Sequence, residues 1–275
     1  LKEPGHGGLR GALRRHPMRA VGLVALACAV PLVALVGFGG DGAEEGTTRA
    51  PADLGDVVRE LGVVEPASGP PLRVAGPRFG IAKVRDGARV PLYDRPEGEQ
   101  IDELGDETEF GSPRSFWIAE RRPGWFGVPV AELPNGRLAW IRDDPLALEL
   151  LRTPYFITAD LSERRVELHY GNKVLERFPV TVGRPGSPTP PGAYAVTDGL
   201  VGDSLGAYYG CCILALSGHQ PNLPPDWIGG DRIAIHGTPG EVGGAASSGC
   251  LRASDADMAA LFARVPLGAP VFIRA

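Results

Sequence analysis

One histidine and one cysteine stand at the two ends of a loop of small residues, in the stretch IAIHGTPGEVGGAASSGCLR between positions 233 and 252. His236 ends an alternating run that is typical of a strand, and Cys250 opens the next short extended piece. A thiol beside an imidazole can give its proton to the ring and attack a carbonyl carbon as a thiolate. The histidine can then return that proton to a leaving amine, which is worth about 10²- to 10⁴-fold in rate.

The loop between these two residues must hold them close together. Consecutive strands usually lie side by side, which would bring His236 and Cys250 within reach of each other. The turn before the cysteine would also suit an oxyanion hole, since Gly249 has no side chain to hinder the backbone N–H groups. The spacing alone leaves a chance pairing open. The loop backbone could approach a substrate closely because it holds five glycines, at positions 237, 240, 243, 244 and 249.

The composition of the 275 residues is that of a folded protein, with 43% hydrophobic and 22% charged residues, and the length predicts two domains. The formal net charge of −5 argues against nucleic acid as a partner. The sequence has no motif for a cofactor, and we expect neither a cofactor nor a metal. A serine penicillin-binding enzyme would need the strings S-x-x-K and K-T-G, which do not occur.

The N-terminal region predicts a membrane anchor. Residues 20–40 form an uncharged apolar run, which as a helix would be about 31 Å long and would match a bilayer core of about 30 Å. The preceding residues, 1–19, hold five basic residues and one acidic residue, so this segment should stay cytoplasmic. We expect a single-pass protein of the cell membrane with its working part outside. A cleaved signal sequence is the alternative.

Two regions follow the anchor before the chemistry begins. Residues 41–71 are rich in Gly, Ala, Pro and Glu and are interpreted as a linker. Residues 72–147 contain short alternating runs separated by turn residues, and they resemble a bacterial SH3-like domain. The pair Asn135-Gly136 predicts a type I′ hairpin. The aromatic residues of this barrel either form a peptide-binding groove or belong to its core: Trp117, Trp125, Phe126 and Trp140.

Residues 153–275 have longer strands and one short helix. Ser254 and Asp257 form an S-x-x-D capping pattern, and Pro266 should stop the helix that they begin. A hairpin is predicted around Gly171-Asn172. The alternation places Val166 and Leu168 on one face before the turn. It places Phe178, Val180 and Val182 on one face after the turn.

The other cysteines and histidines of this region have weaker signals. Cys211 and Cys212 are adjacent, about 3.8 Å apart at Cα, and a disulfide between them would fall outside the usual 4.4–6.8 Å range. Both are therefore predicted to be buried thiols, with a zinc or redox role as the alternative. His169 is predicted to be a surface residue, and His219 lies in a loop without a clear role.

The strings IHGT and SSGCLR, with VTVGRPGSPTPPGAY upstream, closely resemble the catalytic domain of L,D-transpeptidases of the YkuD type. The resemblance runs from about residue 153 to residue 275. It implies a mainly β fold, a β-sandwich with one short helix, preceded here by the SH3-like barrel and the transmembrane helix. Such an arrangement is similar to that of cell-wall enzymes of Gram-positive actinobacteria.

The resemblance also implies roles for individual residues. Cys250 corresponds to the nucleophile and His236 to the general acid and base. The backbone carbonyl of Gly237 would orient the imidazole in place of a carboxylate. Backbone N–H groups of Gly249 and Cys250 would stabilise the oxyanion. Arg252 would hold either a substrate carboxylate or the loop itself.

One position departs from the pattern of the family. Many members have a histidine directly before the Gly-Cys pair, where this sequence has Ser248. That histidine is not the one assigned as the base, so the nucleophile and the base are retained. Ser248 is left as a candidate substrate-binding residue whose contribution is open.

The reaction implied by the resemblance joins peptidoglycan stem peptides. A tetrapeptide donor would acylate the cysteine through its third residue, a diamino acid, and release the terminal D-Ala. The side-chain amine of a neighbouring stem would then resolve the thioester and form a 3→3 crosslink. Two alternatives stay open: an L,D-carboxypeptidase, in which water replaces the amine, and a non-catalytic wall-binding protein.

Overall fold

The computed structural model of the chain describes residues 75–225, 227 and 230–275, without the side chains of residues 203 and 204. The basic segment 1–19, the predicted anchor 20–40 and the linker 41–71 lie outside these described residues. Within the described part of the chain, no helix is long and apolar enough to cross a membrane.

The N-terminal domain consists of two antiparallel sheets. Its strands are β1 (Phe79–Val84), β2 (Val90–Tyr93), β3 (Gln100–Leu104), β4 (Ser115–Ile118), β5 (Glu120–Arg122), β6 (Trp125–Pro129), β7 (Leu138–Arg142) and β8 (Leu148–Thr153). One sheet has the order β4-β1-β8 and the other the order β3-β2-β7-β6-β5. Strand β8 pairs with β1, so residues 148–152, which lie between the two predicted domains, and Thr153 belong to the N-terminal sheet. The likeness to an SH3-like barrel stays a prediction.

The aromatic residues of this domain are core residues and do not line a groove. Trp117, Trp125, Phe126 and Trp140 are all buried. Arg142 covers the ring of Trp125 at 4.5 Å, which closes it from solvent on the outer side. Burial of a large apolar side chain contributes about 1.5–3 kcal/mol, so these rings account for much of the stability of so small a domain.

The predicted type I′ turn at Asn135-Gly136 is wrong. A type I′ turn requires positive φ at both central residues, and here Gly136 has a φ of 78° while Asn135 has a negative φ. The reason lies in the other domain. The Asn135 side chain donates to the His219 carbonyl at 2.7 Å and accepts from the His219 N–H at 2.8 Å, which fixes its backbone.

The C-terminal domain is mainly β with one short helix. Its strands are β9 (Tyr155–Asp160), β10 (Arg165–Tyr170), β11 (Lys173–Pro179), β12 (Val182–Gly183), β13 (Gly192–Val201), β14 (Cys212–His219), β15 (Arg232–Thr238), β16 (Ala245–Ser247), β17 (Leu251–Ser254) and β18 (Pro270–Arg274). Eight of them form one sheet in the order β11-β10-β9-β18-β13-β14-β15-β17, and β12 pairs with β16. The 3-10 turns are Gly202–Leu205 and Ala207–Tyr209, and helix α1 is Asp255–Phe262.

The predicted hairpin and helix are confirmed. Strands β10 and β11 pair around Gly171. Ser254 caps α1 by accepting a hydrogen bond from the Asp257 N–H at 3.2 Å. The helix ends at Phe262, one turn earlier than predicted, although Pro266 does follow it. The apolar residues predicted to share faces around this hairpin all lie in the core: Val166, Leu168, Phe178, Val180 and Val182.

A buried charge joins the two domains. The Arg232 side chain, at the start of β15, is 2% exposed and pairs with Glu109 of the N-terminal domain. Its guanidinium also donates to the Leu216 carbonyl at 2.7 Å and to Thr197 at 2.6 Å. A cation so deeply buried requires such partners. The N-terminal domain is thus fixed to the strand that carries His236.

Two predictions outside the site are corrected. Cys211 and Cys212 are joined by a disulfide and are not free thiols. The Cα–Cα distance is 3.8 Å as predicted, but this short spacing does not prevent the two side chains from joining. His169 is half-buried instead of on the surface, because its ring stacks on Phe156 at 4.4 Å and bonds to Thr158 at 2.9 Å.

Candidate active site

The candidate nucleophile and base lie on adjacent parallel strands. Strands β15 and β17 pair with Ile235 opposite Leu251 and His236 opposite Arg252. Cys250 comes directly before Leu251, which sets it level with Ala234. Paired residues of parallel strands point to the same face of a sheet. Cys250, His236 and Arg252 therefore share one face, and Cys250 packs there against Ile213, Ala215 and Ala234.

The ring of His236 is oriented by its neighbour in the chain. Its Nδ1 lies 2.6 Å from the Gly237 carbonyl oxygen, and this acceptor fixes the proton on Nδ1. The other nitrogen, Nε2, is buried without a hydrogen-bond partner. The pKa of His236 is lowered to about 4, mainly by burial. The hydrogen bond to Gly237 opposes this with a smaller raising effect, and the charge of Arg252 lowers the pKa slightly more. Nε2 therefore carries a lone pair that can accept a proton.

Burial opposes the thiolate–imidazolium pair that the sequence suggested. A histidine with a pKa of about 4 is neutral at neutral pH in the absence of a neighbouring negative charge. The imidazole of His236 is therefore in its neutral form at rest.

Gly237 is packed too closely for any side chain. A Cβ at this position would overlap Oδ1 of Asp255 and lie 3.0 Å from the Cys211 nitrogen. The same carboxylate accepts the Cys211 N–H at 3.1 Å. Asp255, the first residue of α1, therefore ties the disulfide-bonded turn to the backbone that orients His236.

The loop that leads to Cys250 is held by its own serine. The Ser247 hydroxyl donates to the Cys250 carbonyl at 2.6 Å and accepts the Gly249 N–H at 3.1 Å. The N–H that the sequence assigned to the oxyanion hole is thus used by Ser247 in this conformation. Gly249 has a φ of 120°, which side-chain-bearing residues rarely adopt.

Ser248 is buried, and its backbone carbonyl is held by a side chain from another loop. Its carbonyl accepts a hydrogen bond from Gln220 Nε2 at 3.2 Å, and the same amide donates to the Pro188 carbonyl at 2.9 Å. Gln220 is 2% exposed. It links the proline-rich bend to the loop of the nucleophile. The role of Ser248 in substrate binding stays a prediction.

Arg252 contacts both the loop and an aromatic ring. Its side chain donates to the Ala246 carbonyl at 3.2 Å, which is the loop-holding alternative of the sequence analysis. Its guanidinium carbon also lies 4.9 Å from the ring centre of Tyr208. The Nε atom of Arg252 is buried without a hydrogen-bond partner.

Sequence reasoning missed three aromatic residues at this site. Tyr208 and Tyr209 lie in the second 3-10 turn, with their rings 5.6 Å and 5.1 Å from the ring of His236. An aromatic pair directly before Gly210 and β14 was the signal that could have drawn attention to them. Phe110, from the N-terminal domain, packs against the apolar cluster around Cys250. Nothing in the sequence around Phe110 indicates such a distant contact.

No group of three or more histidine, cysteine, aspartate or glutamate residues in the described part of the chain is arranged to hold a metal ion. The polar groups at the site are those suited to proton transfer and to hydrogen bonding. The candidate nucleophile, the candidate base and its orienting acceptor are the groups that cysteine-dependent acyl transfer requires.

A Gly249→Ala substitution should destabilise the loop and slow any reaction at Cys250. The positive φ is strained for alanine, at a cost of about 1–3 kcal/mol, and the new Cβ would overlap the buried Gln220 amide. Chemical denaturation would measure the loss. Gly244→Ala is the matched control, since a Cβ there meets nothing within 4 Å. Equal stability of the two variants would contradict this account.

The free energy of unfolding should decrease as the pH is lowered, because His236 is buried in its neutral form. Its folded-state pKa of about 4 lies below the ordinary 6.5, so the stability it contributes is complete above pH 6.5 and is lost as the pH falls towards 4. The loss should be about 3 kcal/mol relative to His236→Gln, which does not titrate. Denaturation of both proteins between pH 7.5 and pH 4 would measure it, and a constant difference would refute the assignment.

The fold is mainly β, and the candidate site places a cysteine and a histidine on one face of its large sheet. Residues 154–273 match the L,D-transpeptidase catalytic domain, YkuD. A candidate L,D-transpeptidase, YkuD, of Bacillus licheniformis is 30% identical over 186 residues, covering 66% of this chain and 98% of that protein. The chain therefore belongs to the YkuD family of L,D-transpeptidase catalytic domains. Members of this family are cysteine-dependent enzymes that act on peptidoglycan stem peptides.

Two further relatives are matched over shorter parts. The corresponding YkuD protein of Bacillus subtilis strain 168 is 30% identical over 124 residues, which cover 44% of this chain and 66% of that one. The crystal structure of a cysteine-to-serine mutant of Enterococcus faecium L,D-transpeptidase has 24% sequence identity and a TM-score of 0.33. That match covers 49% of this chain and 53% of the other, so the chain spans about half the length of that protein.

Proposed function

We propose that this protein is a peptidoglycan L,D-transpeptidase that forms 3→3 crosslinks through an acyl-enzyme on Cys250. The observation that carries the proposal is the shared sheet face of Cys250 and His236, with Nδ1 of the histidine held by the Gly237 carbonyl and Nε2 left for a proton. A scaffold without catalysis would have no need of an oriented imidazole beside a cysteine.

Acylation would use the reduced thiol of Cys250. The thiol proton passes to Nε2 of His236 as the sulfur attacks the carbonyl carbon of the third stem residue. The tetrahedral intermediate then collapses, its carbon–nitrogen bond breaks, and His236 gives the proton to the nitrogen of the departing D-Ala. A thioester on Cys250 results.

Resolution of the thioester would reverse these proton movements. The side-chain amine of a neighbouring stem loses a proton to His236 and attacks the thioester carbonyl. The carbon–sulfur bond breaks and Cys250 regains its proton from the histidine. A histidine that is neutral at rest suits both half-reactions, because it begins each of them as a base.

The oxyanion would be stabilised by the backbone of the turn at Gly249 and Cys250. Gly249 donates to the Ser247 hydroxyl in the structure, so this N–H would have to turn from Ser247 towards the substrate oxygen. The absence of a Cβ at Gly249 makes such a rotation possible.

The predicted anchor gives the proposal its location. Residues 20–40 would hold the protein in the cell membrane, with the domains on the outer side. The linker 41–71 would separate its two ends by roughly 30 Å as a flexible coil, which would set the active site away from the membrane, within the wall.

The test is intact-mass measurement of the full chain under reducing conditions with a tetrapeptide donor. We expect a covalent adduct of the tripeptide mass on Cys250. With a diamino acceptor peptide added, crosslinked dimer supports transfer, whereas release of tripeptide and D-Ala alone supports the L,D-carboxypeptidase alternative. Absence of any adduct and of any product would leave only the wall-binding alternative.

A further inference from the structure

A loop of the N-terminal domain is fixed to the domain that carries the candidate site. It joins β3 to β4 and comprises residues 105–114. The Thr108 hydroxyl donates to the carboxylate of Asp198 on β13, and Glu109 pairs with Arg232 on β15. Asp198 and Arg232 are almost completely buried, so both partners are held in place by their surroundings. The loop is therefore attached at two successive residues.

Both of these partners lie on the sheet face that carries Cys250. Asp198 stands opposite Ala215 in the pairing of β13 with β14, and Ala215 stands opposite Ala234 in the pairing of β14 with β15. Residues that stand opposite each other share a face. Arg232 lies two positions before Ala234 in the same strand and so shares this face as well. Ala215 and Ala234 belong to the apolar cluster of Cys250, so the loop lies against the face of the candidate site.

Hydrogen bonds within the loop fix its shape. The Thr108 hydroxyl accepts the N–H of Phe110 at 3.3 Å and the N–H of Ser112 at 3.1 Å. The Thr108 N–H in turn donates to the Ser112 carbonyl at 2.9 Å, and the Arg114 side chain donates to the Glu107 carbonyl at 2.7 Å. A short loop closed by several such bonds has few alternative conformations. Phe110 is therefore presented at a defined place.

The residue that this loop presents is aromatic. Phe110 packs against the apolar cluster that contains Cys250, and it is partly buried there. Among the described residues that pack against this cluster from outside it, Phe110 alone comes from the N-terminal domain, whereas Leu200 and Tyr208 come from the C-terminal domain. The N-terminal domain thus supplies one apolar side of the candidate site.

We propose that Phe110 determines which nucleophile reaches the thioester on Cys250: its ring closes one side of the site to water and leaves the reaction to an amine. The proposal rests on the proposed function and adds to it the residue that separates transfer from hydrolysis. The ring offers no hydrogen-bond partner to a water molecule, and exclusion of water protects a reactive intermediate from hydrolysis. An amine acceptor is placed by contacts along the rest of its peptide, so it does not depend on free entry of solvent.

Transfer and hydrolysis use the same histidine, so the base cannot choose between them. In hydrolysis, a water molecule gives one proton to Nε2 of His236 while its oxygen bonds to the carbonyl carbon of the thioester. The carbon–sulfur bond then breaks, and the proton returns from His236 to the sulfur of Cys250. Transfer differs only in that an amine nitrogen takes the place of the water oxygen. The choice therefore depends on which molecule can occupy the space beside Cys250, where Phe110 packs.

The first measurement follows the products. The wild-type protein and Phe110→Ala, as full chains under reducing conditions, receive a tetrapeptide donor and a fixed concentration of a diamino acceptor peptide. We expect the ratio of released tripeptide to crosslinked dimer to rise about tenfold in Phe110→Ala, as for the loss of an apolar contact that discriminates between substrates. Adduct formation on Cys250 should change by less than about twofold in rate, because acylation does not involve water. A general loss of structure would slow both half-reactions.

Two further variants assign the effect to the ring. Phe110→Leu keeps an apolar side chain at the same place and should keep most of the wild-type product ratio. Leu146→Ala is the control, since this residue of the N-terminal domain is 86% exposed and its truncation should leave the ratio unchanged. An equal rise in Leu146→Ala and Phe110→Ala would overturn the proposal.

The second measurement does not depend on catalysis. The full chain is reduced, freed of reductant and treated with iodoacetamide, and the alkylation rate is read from the proteolytic peptide that contains Cys250. We expect alkylation to be about fivefold faster in Phe110→Ala than in the wild-type protein, because the reactivity of a thiol depends on its access to solvent. Phe110→Leu and Leu146→Ala should react at nearly the wild-type rate.

The two measurements separate this proposal from the proposed function. Equal alkylation rates in the wild-type protein and Phe110→Ala, or an unchanged product ratio, would overturn the proposal and leave crosslinking intact. Absence of dimer and of adduct in every protein would instead overturn the proposed function. The alkylation rates would then still decide whether Phe110 covers the thiol.

Discussion

Cys250→Ser should abolish covalent capture of a donor peptide, with no adduct above background in intact-mass spectra. The serine hydroxyl is almost the same size as the thiol, but it is a far weaker nucleophile beside a histidine whose pKa is about 4. The wild-type protein should show the adduct with a tetrapeptide and also with a carbapenem, a class of compound that acylates enzymes of this family.

Two controls accompany this substitution. Cys250 packs in a small apolar cluster, and the change of one atom should shift the thermal midpoint by only a few degrees. Proteolytic mapping of the wild-type adduct should place it on the peptide that contains Cys250. An adduct that persists in Cys250→Ser, or that maps to another residue, would disprove the nucleophile assignment.

His236→Gln should slow acylation by about 10²- to 10⁴-fold, the usual contribution of a positioned base. The pH dependence of the acylation rate tests whether His236 acts as the base. With a pKa of about 4, the wild-type rate should change less than about twofold between pH 7.5 and 5.5, whereas a base of ordinary pKa would lose about tenfold there.

Rapid-quench measurement of adduct formation across this pH range gives both the rate loss in His236→Gln and the pH dependence of the wild-type rate. His169→Gln is the control, since that ring lies on β10 against Phe156 and away from Cys250. A wild-type rate in His236→Gln would show that another group takes the thiol proton. A steep acid limb in the native protein would show that the burial of His236 is relieved when the donor binds.

The sequence predicted those parts of the site that depend on neighbours along the chain. His236 and Gly237 are adjacent, and the alternation before them predicted the strand that carries them, although β15 continues to Thr238 and does not end at His236. The cap at Ser254 was also local, as was the shared face of Val166 and Leu168. Short-range patterns of this kind depend on backbone periodicity alone.

The remaining features depend on contacts between distant residues. Tyr208 reaches His236 only because β14 pairs with β15, and Phe110 comes from another domain. The Ser247 hydroxyl accepts from the Gly249 N–H, which is one of several backbone donors in this glycine-rich loop. The Asn135-Gly136 turn was predicted wrongly because His219, 84 positions away, holds the asparagine. Such effects are tertiary, and no local pattern encodes them.

The buried Arg232 has a consequence for how the protein can be divided. If the chain were shortened to begin at residue 153, Glu109 would be removed, and the nearly inaccessible Arg232 would keep only the carboxylate of Asp198, at 3.9 Å, as a counter-charge. Phe156 and Phe272 would also be exposed on the side where Phe79 and Trp117 now cover them. The two domains should therefore unfold together in a single calorimetric transition. The N-terminal domain could not be replaced by an unrelated domain during evolution without changes to these interface residues.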